Sequence, residues 1–168
     1  IEDCAQAHGA KYRGQYVGTI GDIGVFSLNV NKTIQSGEGG VCVTNDKDLH
    51  YRLALIRNHG EAVVEAAEYD DIINIAGFNY RMTELQAAVC RVQLGKLDGL
   101  NAARLKLVKQ LNNGLRVFDF LVVPEEKYDC ESTYYVYPLK FLSEIAGIKR
   151  EQFVEAVNAE GINFFQGY

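Results

Sequence analysis

The stretch FSLNVNKTIQSGEGGVCVTN, residues 26–45, decides how the first part of the chain folds. A strand-like run breaks into polar residues around Lys32, and the turn GEGG at 37–40 leads into a second strand-like run, VCVTN. Glycines allow tight turns and close backbone approaches, so the pattern predicts two strands with a lysine held between them. Because lysine is seldom buried unless it is paired or used, Lys32 is a candidate site residue; the alternative is an ordinary surface lysine.

The composition is typical of a folded, soluble domain. The chain has 168 residues, 48% hydrophobic and 23% charged, which suffices for one ordinary core. Its net charge is −5 and its 17 basic residues are scattered, so we expect no nucleic-acid partner. No apolar run approaches the ~20 residues that span a bilayer, so we expect no membrane partner. Four isolated cysteines without a C-x-x-C pair predict reduced, buried thiols, and with no signal-peptide pattern we expect the cytoplasm.

Short strands are predicted in the first 45 residues, followed by a helix. The β-prone runs lie at 1–3, 12–17, 23–28 and 41–45. Asn45-Asp46 supplies an N-terminal cap for a helix that ends near Gly60. The apolar face of that helix is predicted to consist of Leu49, Leu53, Leu55 and Ile56. Residues 61–82 are predicted to be irregular.

Helical periodicity returns after residue 82. Thr83 and Gln86 have the spacing of a capping box, which marks the start of a helix. Apolar residues then recur at helical spacing to about Leu115. Gly95 and Gly99 are weak points, so the pattern predicts either one long helix or a broken pair.

The pattern changes again near residue 115. Strands are predicted at 117–123 and 134–141, and IKREQFVEAVNAEGI at 148–162 predicts a helix that ends at Gly161, with another strand beginning after it. This order predicts a second, smaller α+β unit. The chain opens on strand-like IEDCAQ and stops at FFQGY without a closing element, so we expect it to be a segment of a longer polypeptide.

Acidic and hydroxyl side chains accompany Lys32 at neighbouring strand ends. Asp3 ends the first predicted strand, at the place where open α/β sheets bind ligands; the alternative is an Asp that caps the next turn. Ser27 ends the strand that precedes Lys32. A carboxylate for a pyridinium nitrogen, a hydroxyl for a phosphate and an amine for an aldehyde are the parts that a pyridoxal phosphate enzyme needs. The spacing by itself does not decide for that interpretation.

Other familiar cofactor and metal motifs are not matched. GTIGDIG is not G-x-G-x-x-G, and Lys32 precedes the glycines at 37–40 whereas a P-loop has its lysine after them, so a dehydrogenase and an NTPase are disfavoured. His8, His50 and His59 are too few and too separated to predict a metal site. His59, near a helix end, has two open interpretations: a contact with the helix dipole or a functional role.

Longer motifs resemble one enzyme family. In chain order they are EDCAQAHGA, G-x-x-G-D-I-G-V-F-S-L-N-x-N-K-x-I-x-S-G-E-G-G, IRNHG, GFNYRMTELQAA and QLGKLD. They cover nearly the whole chain and closely resemble the DegT/DnrJ/EryC1/StrS family of sugar aminotransferases. The resemblance implies the α/β, aspartate aminotransferase-like architecture of PLP-dependent transferase fold type I, here incomplete. Residues 1–114 would be the later part of the large PLP-binding domain with its long connecting helix, and residues 115–168 the beginning of the small C-terminal domain.

The resemblance also implies roles for individual residues. Asp3 is implied to pair with the pyridine nitrogen of pyridoxal 5′-phosphate, and Gln6 to lie near the phenolic oxygen of that cofactor. Ser27 is implied to bind the phosphate. Lys32 is implied to be the lysine that bonds to the cofactor, so Lys32 and Asp3 are the implied catalytic residues. The implied cofactor-binding set is completed by Asn79.

The activity implied by the resemblance is transfer of an amino group, usually from glutamate, to a nucleotide-linked keto-sugar. Asn79 and Arg81 of the G-x-N-x-R segment are implied to reach across a homodimer to the other subunit's cofactor. Relatives that act as dehydratases carry His in place of the lysine, so Lys32 favours transamination. Two alternatives stay open: an aminotransferase of the same family that acts on a cyclitol or another ring ketone, and a truncated, non-catalytic module for dimerisation or regulation.

Overall fold

The computed structural model describes residues 1–61 and 75–167 as a mixture of short strands and helices. In chain order the strands are β1 (Glu2–Asp3), β2 (Lys11–Tyr12), β3 (Gln15–Tyr16), β4 (Gly24–Ser27), β5 (Gly40–Val43), β6 (Leu121–Val122), β7 (Cys130–Glu131) and β8 (Lys140–Phe141). The helices are α1 (Lys47–Arg57), α2 (Glu84–Leu94), α3 (Leu97–Leu115), α4 (Ser143–Ala146) and α5 (Arg150–Ala159). Of the segment predicted to be irregular, residues 62–74 lie outside the described residues, and 75–82 contain only one isolated bridge.

Contacts divide the chain into two compact units. The first comprises Ile1–Arg104 and Glu126–Tyr135, and the second comprises Leu105–Glu125 and the residues from Val136 onward. The division therefore falls within α3, and a later segment returns to the first unit. The domain boundary expected at residue 115 stays a prediction, because it concerns the two domains of the longer fold.

Three strands of the first unit form a small mixed sheet in the order β1-β4-β5. β1 and β4 run parallel with Asp3 opposite Val25, and β4 and β5 run antiparallel with Ser27 opposite Gly40. The strands predicted at the start of the chain and on both sides of Lys32 are thus confirmed. The parallel pair determines the position of the site, since the carboxyl ends of β1 and β4 lie at the same edge of the sheet.

The prediction of a single strand at 12–17 was wrong, because the chain turns back within this stretch. Arg13 and Gly14 both have positive φ, at 50° and 76°, which is the backbone of a two-residue type I′ hairpin turn between β2 and β3. β2 also pairs with β7, with Lys11 opposite Glu131, and their side chains form a 3.3 Å salt bridge. β7 was not predicted, because its pairing partner lies far away in the sequence.

Helix α1 begins and ends as predicted. The Asp46 side chain accepts two backbone N–H groups of the first turn, and the helix ends at Arg57. Leu55 is fully buried at 0% exposure, as is Leu28 just after β4 at 2%. Burial of a leucine side chain stabilises a fold by about 1.5–3 kcal/mol. The predicted apolar face is only partly confirmed, because Ile56 remains 36% exposed.

The capping box is confirmed, and of the two alternatives predicted after it the structure has the broken pair of helices. Thr83 Oγ1 accepts the Gln86 N–H at 3.3 Å, and Gln86 Oε1 accepts the Thr83 N–H at 3.0 Å. α2 ends before Gly95 and α3 begins two residues after it. The second weak point was wrong, since Gly99 lies inside the 19-residue helix α3. One glycine costs a helix only about 1 kcal/mol, which a helix of this length tolerates.

The second unit has an aromatic core. β6 and β8 pair antiparallel with Leu121 opposite Phe141, so the strands predicted at 117–123 and 134–141 exist only as two-residue pairs. Phe141 and Phe153 stack at 4.5 Å between ring centroids. α5 and its end near Gly161, where φ is +87°, are confirmed. The strand expected after Gly161 was wrong, because residues 162–167 form none.

None of the helices within the described residues combines the length and apolarity needed to cross a membrane. The four cysteines all lie in the described part and form no disulfide. Only Cys4 is buried, whereas Cys42 is exposed, so the prediction of buried thiols holds for one of them.

Candidate functional site at the ends of strands β1 and β4

Asp3 is the last residue of β1 and lies exposed at the edge of the sheet. Its Oδ1 accepts the backbone N–H of Ala5 at 3.1 Å, so Asp3 does cap the next turn. A carboxylate has two oxygens and can accept several hydrogen bonds, so the cap leaves capacity for a ligand. Gln6 follows in the same turn and is also exposed.

Ser27 is the last residue of β4, beside the end of β1. Its Oγ accepts the backbone N–H of Asn29 at 3.3 Å, which leaves the hydroxyl proton available for donation. The side chain is half-buried. Because β1 and β4 are parallel neighbours, Asp3 and Ser27 lie at the same edge, as the sequence predicted.

The loop that carries Lys32 is closed at its base by backbone hydrogen bonds. The N–H of Leu28 donates to Gly39 O at 2.9 Å, and the N–H of Ser36 donates to Leu28 O at 3.0 Å. Within the loop, the N–H of Lys32 donates to Asn29 O at 2.9 Å. The lysine therefore lies on a closed turn whose two ends are fixed to the strands.

The glycine turn is joined to both the lysine loop and helix α2. Asn29 Nδ2 donates to Glu38 Oε1 at 2.7 Å, and Gln86 Nε2 donates to Glu38 O at 3.1 Å. Gly39 has a φ of +148°, a conformation that side-chain residues rarely adopt. The turn therefore requires glycine at this position in order to bring the strand back beside Lys32.

The amine of Lys32 faces an aromatic ring rather than an acid. The side chain is half-buried, and its Nζ lies 4.8 Å from the centroid of the Tyr135 ring. Among residues 1–61 and 75–167, no carboxylate lies within 4.0 Å of this nitrogen. Sequence reasoning missed Tyr135, because no local signal connects two residues so far apart in the chain.

Asn79 and Arg81 lie on a separate segment that pairs with the end of α1. Asn79 forms an isolated antiparallel bridge with Asn58, and Arg81 Nη1 donates to Asn58 Oδ1 at 2.8 Å. The N–H of His59 donates to Phe78 O at 3.0 Å, and His59 itself has a φ of +60°. Within the described residues no hydrogen bond joins Asn79 to Lys32. The role expected for Asn79 at a partner's cofactor stays a prediction.

Gly77→Ala is expected to lower the free energy of unfolding by about 1–3 kcal/mol, because a new Cβ would run into the backbone of His59 and Gly60. Gly99→Ala is the matched control. Its Cβ would meet nothing within 4 Å, and alanine should raise the stability of α3 by about 0.5–1 kcal/mol. Urea unfolding followed by circular dichroism measures both effects. Equal stability of the two variants would contradict the close packing of Gly77 against the backbone of residues 59 and 60.

His8 was considered in the sequence only as a metal ligand, yet its ring lies beside the site. It is 3% exposed, packs 5.5 Å from the Phe26 ring, and has no hydrogen-bond partner for either ring nitrogen among the described residues. Burial lowers the pKa of His8, and the nearby charge of Lys32 adds to that, against an opposing effect of the Ser27 backbone. Burial therefore favours the neutral form of the ring.

Glu2 fixes the loop 18–21 beside the end of β1. Its Oε2 accepts the N–H of Gly18 at 2.7 Å, and its Oε1 accepts those of Ile20 at 2.8 Å and Gly21 at 2.6 Å. These hydrogen bonds, that of Gly21 first, lower the pKa of Glu2 below its usual 4.5. The carboxylate is thus stabilised in its charged form next to Asp3.

Glu2→Gln is expected to lower the urea midpoint at pH 7, because an amide has one acceptor oxygen where the carboxylate has two. The pKa of Glu2 in the folded state lies below the unfolded value of 4.5, so wild type has this stabilisation above pH 4.5 and loses it as the pH falls through the folded-state pKa. The difference in midpoint should therefore shrink on acidification. Glu155→Gln on α5 is the control and should change neither midpoint. A difference that stays undiminished in acid would contradict the prediction.

The sequence matches a known family along its whole length. The model of the DegT/DnrJ/EryC1/StrS aminotransferase family matches residues 1–168. The chain belongs to this family. The resemblance inferred from the motifs is thereby confirmed.

Similar proteins are considerably longer than this chain. GDP-perosamine synthase of Escherichia coli O157:H7 is 40% identical over 136 residues, which are 81% of this chain and 36% of that protein. A putative L-glutamine:3-amino-2,3-dideoxy-scyllo-inosose aminotransferase of Micromonospora echinospora is 36% identical over 167 residues, 98% of this chain and 39% of that protein. The X-ray structure of an aminotransferase from Psychrobacter cryohalolentis is 31% identical with a TM-score of 0.85, and the match covers 99% of this chain and 46% of that one. The chain thus spans less than half of these proteins, and the predicted fold class is confirmed.

Enzymes of this family depend on pyridoxal 5′-phosphate, and the residues present fit this group. The half-buried Lys32 amine, with no described carboxylate within 4.0 Å, is suited to bond to an aldehyde. Ser27 offers a hydroxyl to a phosphate, and Asp3 offers an exposed carboxylate to a ring nitrogen. The three side chains therefore suit the aldehyde, the phosphate and the ring nitrogen of the cofactor.

Proposed function

We propose that the complete protein is a pyridoxal phosphate-dependent aminotransferase that converts a nucleotide-linked keto-sugar to an amino sugar, with glutamate as donor. The observation that carries the proposal is the amine of Lys32, held half-buried on a closed turn beside Ser27 and without a described acidic partner. Membership of an aminotransferase family supports the reaction class. The GDP-sugar in the name of one relative supports the class of acceptor.

The chemistry follows from the side chains at the strand ends. When bound, pyridoxal 5′-phosphate supplies an electron sink for a carbanion beside an amino group. The Asp3 carboxylate would hold the proton on the ring nitrogen, because a nearby anion favours the charged pyridinium. Ser27 Oγ would donate to the phosphate, and Gln6 would lie near the phenolic oxygen. The Lys32 Nζ would accept the proton that leaves the donor's α-carbon and hold it beside the reacting atoms for delivery.

Covalent capture at Lys32 tests this proposal. The complete protein is incubated with pyridoxal 5′-phosphate, treated with borohydride and digested. Mass spectrometry should then find the cofactor attached to the peptide that contains Lys32. Attachment only at other lysines would overturn the proposal, and so would the absence of attachment in a protein that binds the cofactor.

A second acceptor class is favoured by another relative, whose name combines L-glutamine with a scyllo-inosose. The two classes differ in donor and product. With glutamate the released keto acid is 2-oxoglutarate, whereas with glutamine it is the corresponding amide. Identification of the keto acid formed with a keto-sugar nucleotide and with a ketocyclitol would separate them. If neither glutamate nor glutamine releases a keto acid, the result would favour a non-catalytic module.

We propose a homodimer in which the segment of Asn79 and Arg81 serves the partner's site. Exposed apolar residues on α2 support an interface, since Leu85 is 81% exposed and Val92 61%. Asn79→Ala in the complete protein should weaken binding of pyridoxal 5′-phosphate, measured by titration with the cofactor, without changing the molecular mass of the dimer.

The cytoplasm is the proposed compartment, supported by four cysteines that form no disulfide.

A further inference from the structure

Two polar side chains of α3 connect the segments around the site. The Nη1 of Arg104 lies 3.2 Å from each of three acceptors, Thr33 Oγ1, Asn101 Oδ1 and Thr133 O. Asn101 Nδ2 donates in turn to His8 O at 3.0 Å, a buried hydrogen bond. We call Arg104 and Asn101 the α3 pair. It contacts the loop after β1, the lysine loop and the segment that ends at Tyr135.

Arg104 reaches the chain on both sides of the Lys32 amine. Thr33 follows Lys32 directly in the sequence. Its hydrogen bond with Arg104 therefore holds the lysine loop next to the amine-bearing residue. Thr133 lies two residues before Tyr135, whose ring is 4.8 Å from Lys32 Nζ. One guanidinium therefore touches both the segment that carries the amine and the segment that carries the ring facing it.

The segment of Tyr135 is held in an unusual conformation. Tyr134 has a φ of +47°, which bulky residues rarely adopt, and its N–H donates to Ser132 Oγ at 3.2 Å. Such a conformation persists only where the surroundings impose it. The hydrogen bond from Arg104 to O of the preceding residue, Thr133, is one contact of these surroundings.

The packing around the α3 pair is close. A Cβ on Gly9 would lie 2.7 Å from Asn101 Nδ2, so only glycine leaves room for this amide beside the loop after β1. Among the described residues Arg104 has no carboxylate within 4.0 Å, and its donors go to neutral oxygens of separate segments. All three contacts come from Nη1, whose two N–H groups are shared among the three acceptors.

We propose that Arg104 is a positioning residue for the amine of Lys32. It holds the lysine loop through Thr33 and holds Tyr135 against the amine through Thr133. The ring of Tyr135 attracts the ammonium form of Lys32 and covers one side of it. The inference rests on the proposed role of Lys32 as the residue that bonds to the cofactor.

The test measures how readily the Lys32 amine reacts. The complete protein, freed of cofactor, is labelled with a trace of acetic anhydride, and mass spectrometry compares acetylation at Lys32 with that at exposed Lys47 of the same unit. Tyr135→Leu should raise the Lys32 to Lys47 ratio by about two- to fivefold, the range expected for loss of a cation–π contact. Tyr135→Phe keeps the ring and should stay closer to the wild-type ratio than Tyr135→Leu does.

Arg104 is tested in the same way. Arg104→Met keeps a long apolar stem without donors and should raise the ratio as Tyr135→Leu does, whereas Arg104→Lys keeps charge and donors and should restore part of the wild-type ratio. If Arg104 acts through Tyr135, the double variant Arg104→Met with Tyr135→Leu should show less than the product of the two single effects.

Several results would overturn the positioning role. They are a ratio in Arg104→Met within experimental error of wild type, an equal rise at both lysines that indicates general loosening, and independent effects in the double variant. Borohydride capture of the cofactor at Lys32 reports the proposed function separately. If the wild-type protein fails to capture the cofactor at Lys32 but Arg104→Met raises the labelling ratio, only the proposed function is rejected. If capture is normal but Arg104→Met leaves the ratio unchanged, only the role of Arg104 is rejected.

Discussion

Lys32→Ala in the complete protein is expected to lower the turnover number for the proposed amino transfer by at least about a thousandfold, because the proposal assigns to Lys32 both the proton transfer and the covalent attachment. The melting temperature should change little. The side chain is half-buried and has no described carboxylate within 4.0 Å, so its removal leaves no buried acid unpaired. Release of keto acid from the amino donor, with and without a sugar nucleotide, measures the effect.

Two controls make the Lys32 result specific. Lys47→Ala removes an exposed lysine at the start of α1 and should leave turnover unchanged. Added methylamine should restore part of the turnover of Lys32→Ala, since a small amine can enter the space of the missing side chain and accept the proton. Wild-type turnover in Lys32→Ala would show that the reaction uses another base, and the proposed function would then have lost its central residue.

Asp3→Asn is the second change with a large expected effect. An opposite charge within about 4–6 Å shifts a pKa by 1–3 units, so loss of the carboxylate should reduce the protonated form of a bound pyridine ring by about ten- to a thousandfold. Turnover should fall by a similar factor, because an unprotonated ring accepts electrons poorly. The fold should remain intact, since the amide oxygen of Asn can still accept the Ala5 N–H that Asp3 accepts now.

Melting temperature and turnover together distinguish the two roles of Asp3. A catalytic role predicts a large loss of turnover with a nearly unchanged melting temperature. Asp119→Asn in the second unit is the matched control and should change neither quantity. A large fall in the melting temperature of Asp3→Asn with normal turnover per folded molecule would identify Asp3 as a turn cap only.

Most of the local structure whose cause lies within a few residues was predictable. The Asp46 cap, the capping box of Thr83 and Gln86 and the break at Gly95 each depend on neighbours at most four residues away. The hairpin at Arg13 was missed, although it is local, because an Arg-Gly turn looks like the middle of a strand when only apolar periodicity is used. Strand lengths were overestimated for the same reason in the second unit.

Long-range pairings were not predictable. The salt bridge of Arg13 and Asp129 joins residues 116 positions apart, and nothing in either segment specifies the other. The same holds for the ring of Tyr135 against Lys32. His8 gave no sign of being buried, since a single histidine in a glycine-rich segment has no periodic context.

The sequence by itself determined the family and the fold class, because its motifs resemble those of one family along nearly the whole chain. It also determined the strands that end at Asp3 and Ser27 and the loop that carries Lys32, because strand periodicity and glycine turns are encoded by adjacent residues. Only the tertiary structure decided what surrounds the lysine. It places Tyr135 over the amine and connects Arg104 to Thr33 and Thr133. The physical reason is that these contacts arise when distant segments pack together, and packing depends on the whole unit at once rather than on any stretch of neighbouring residues.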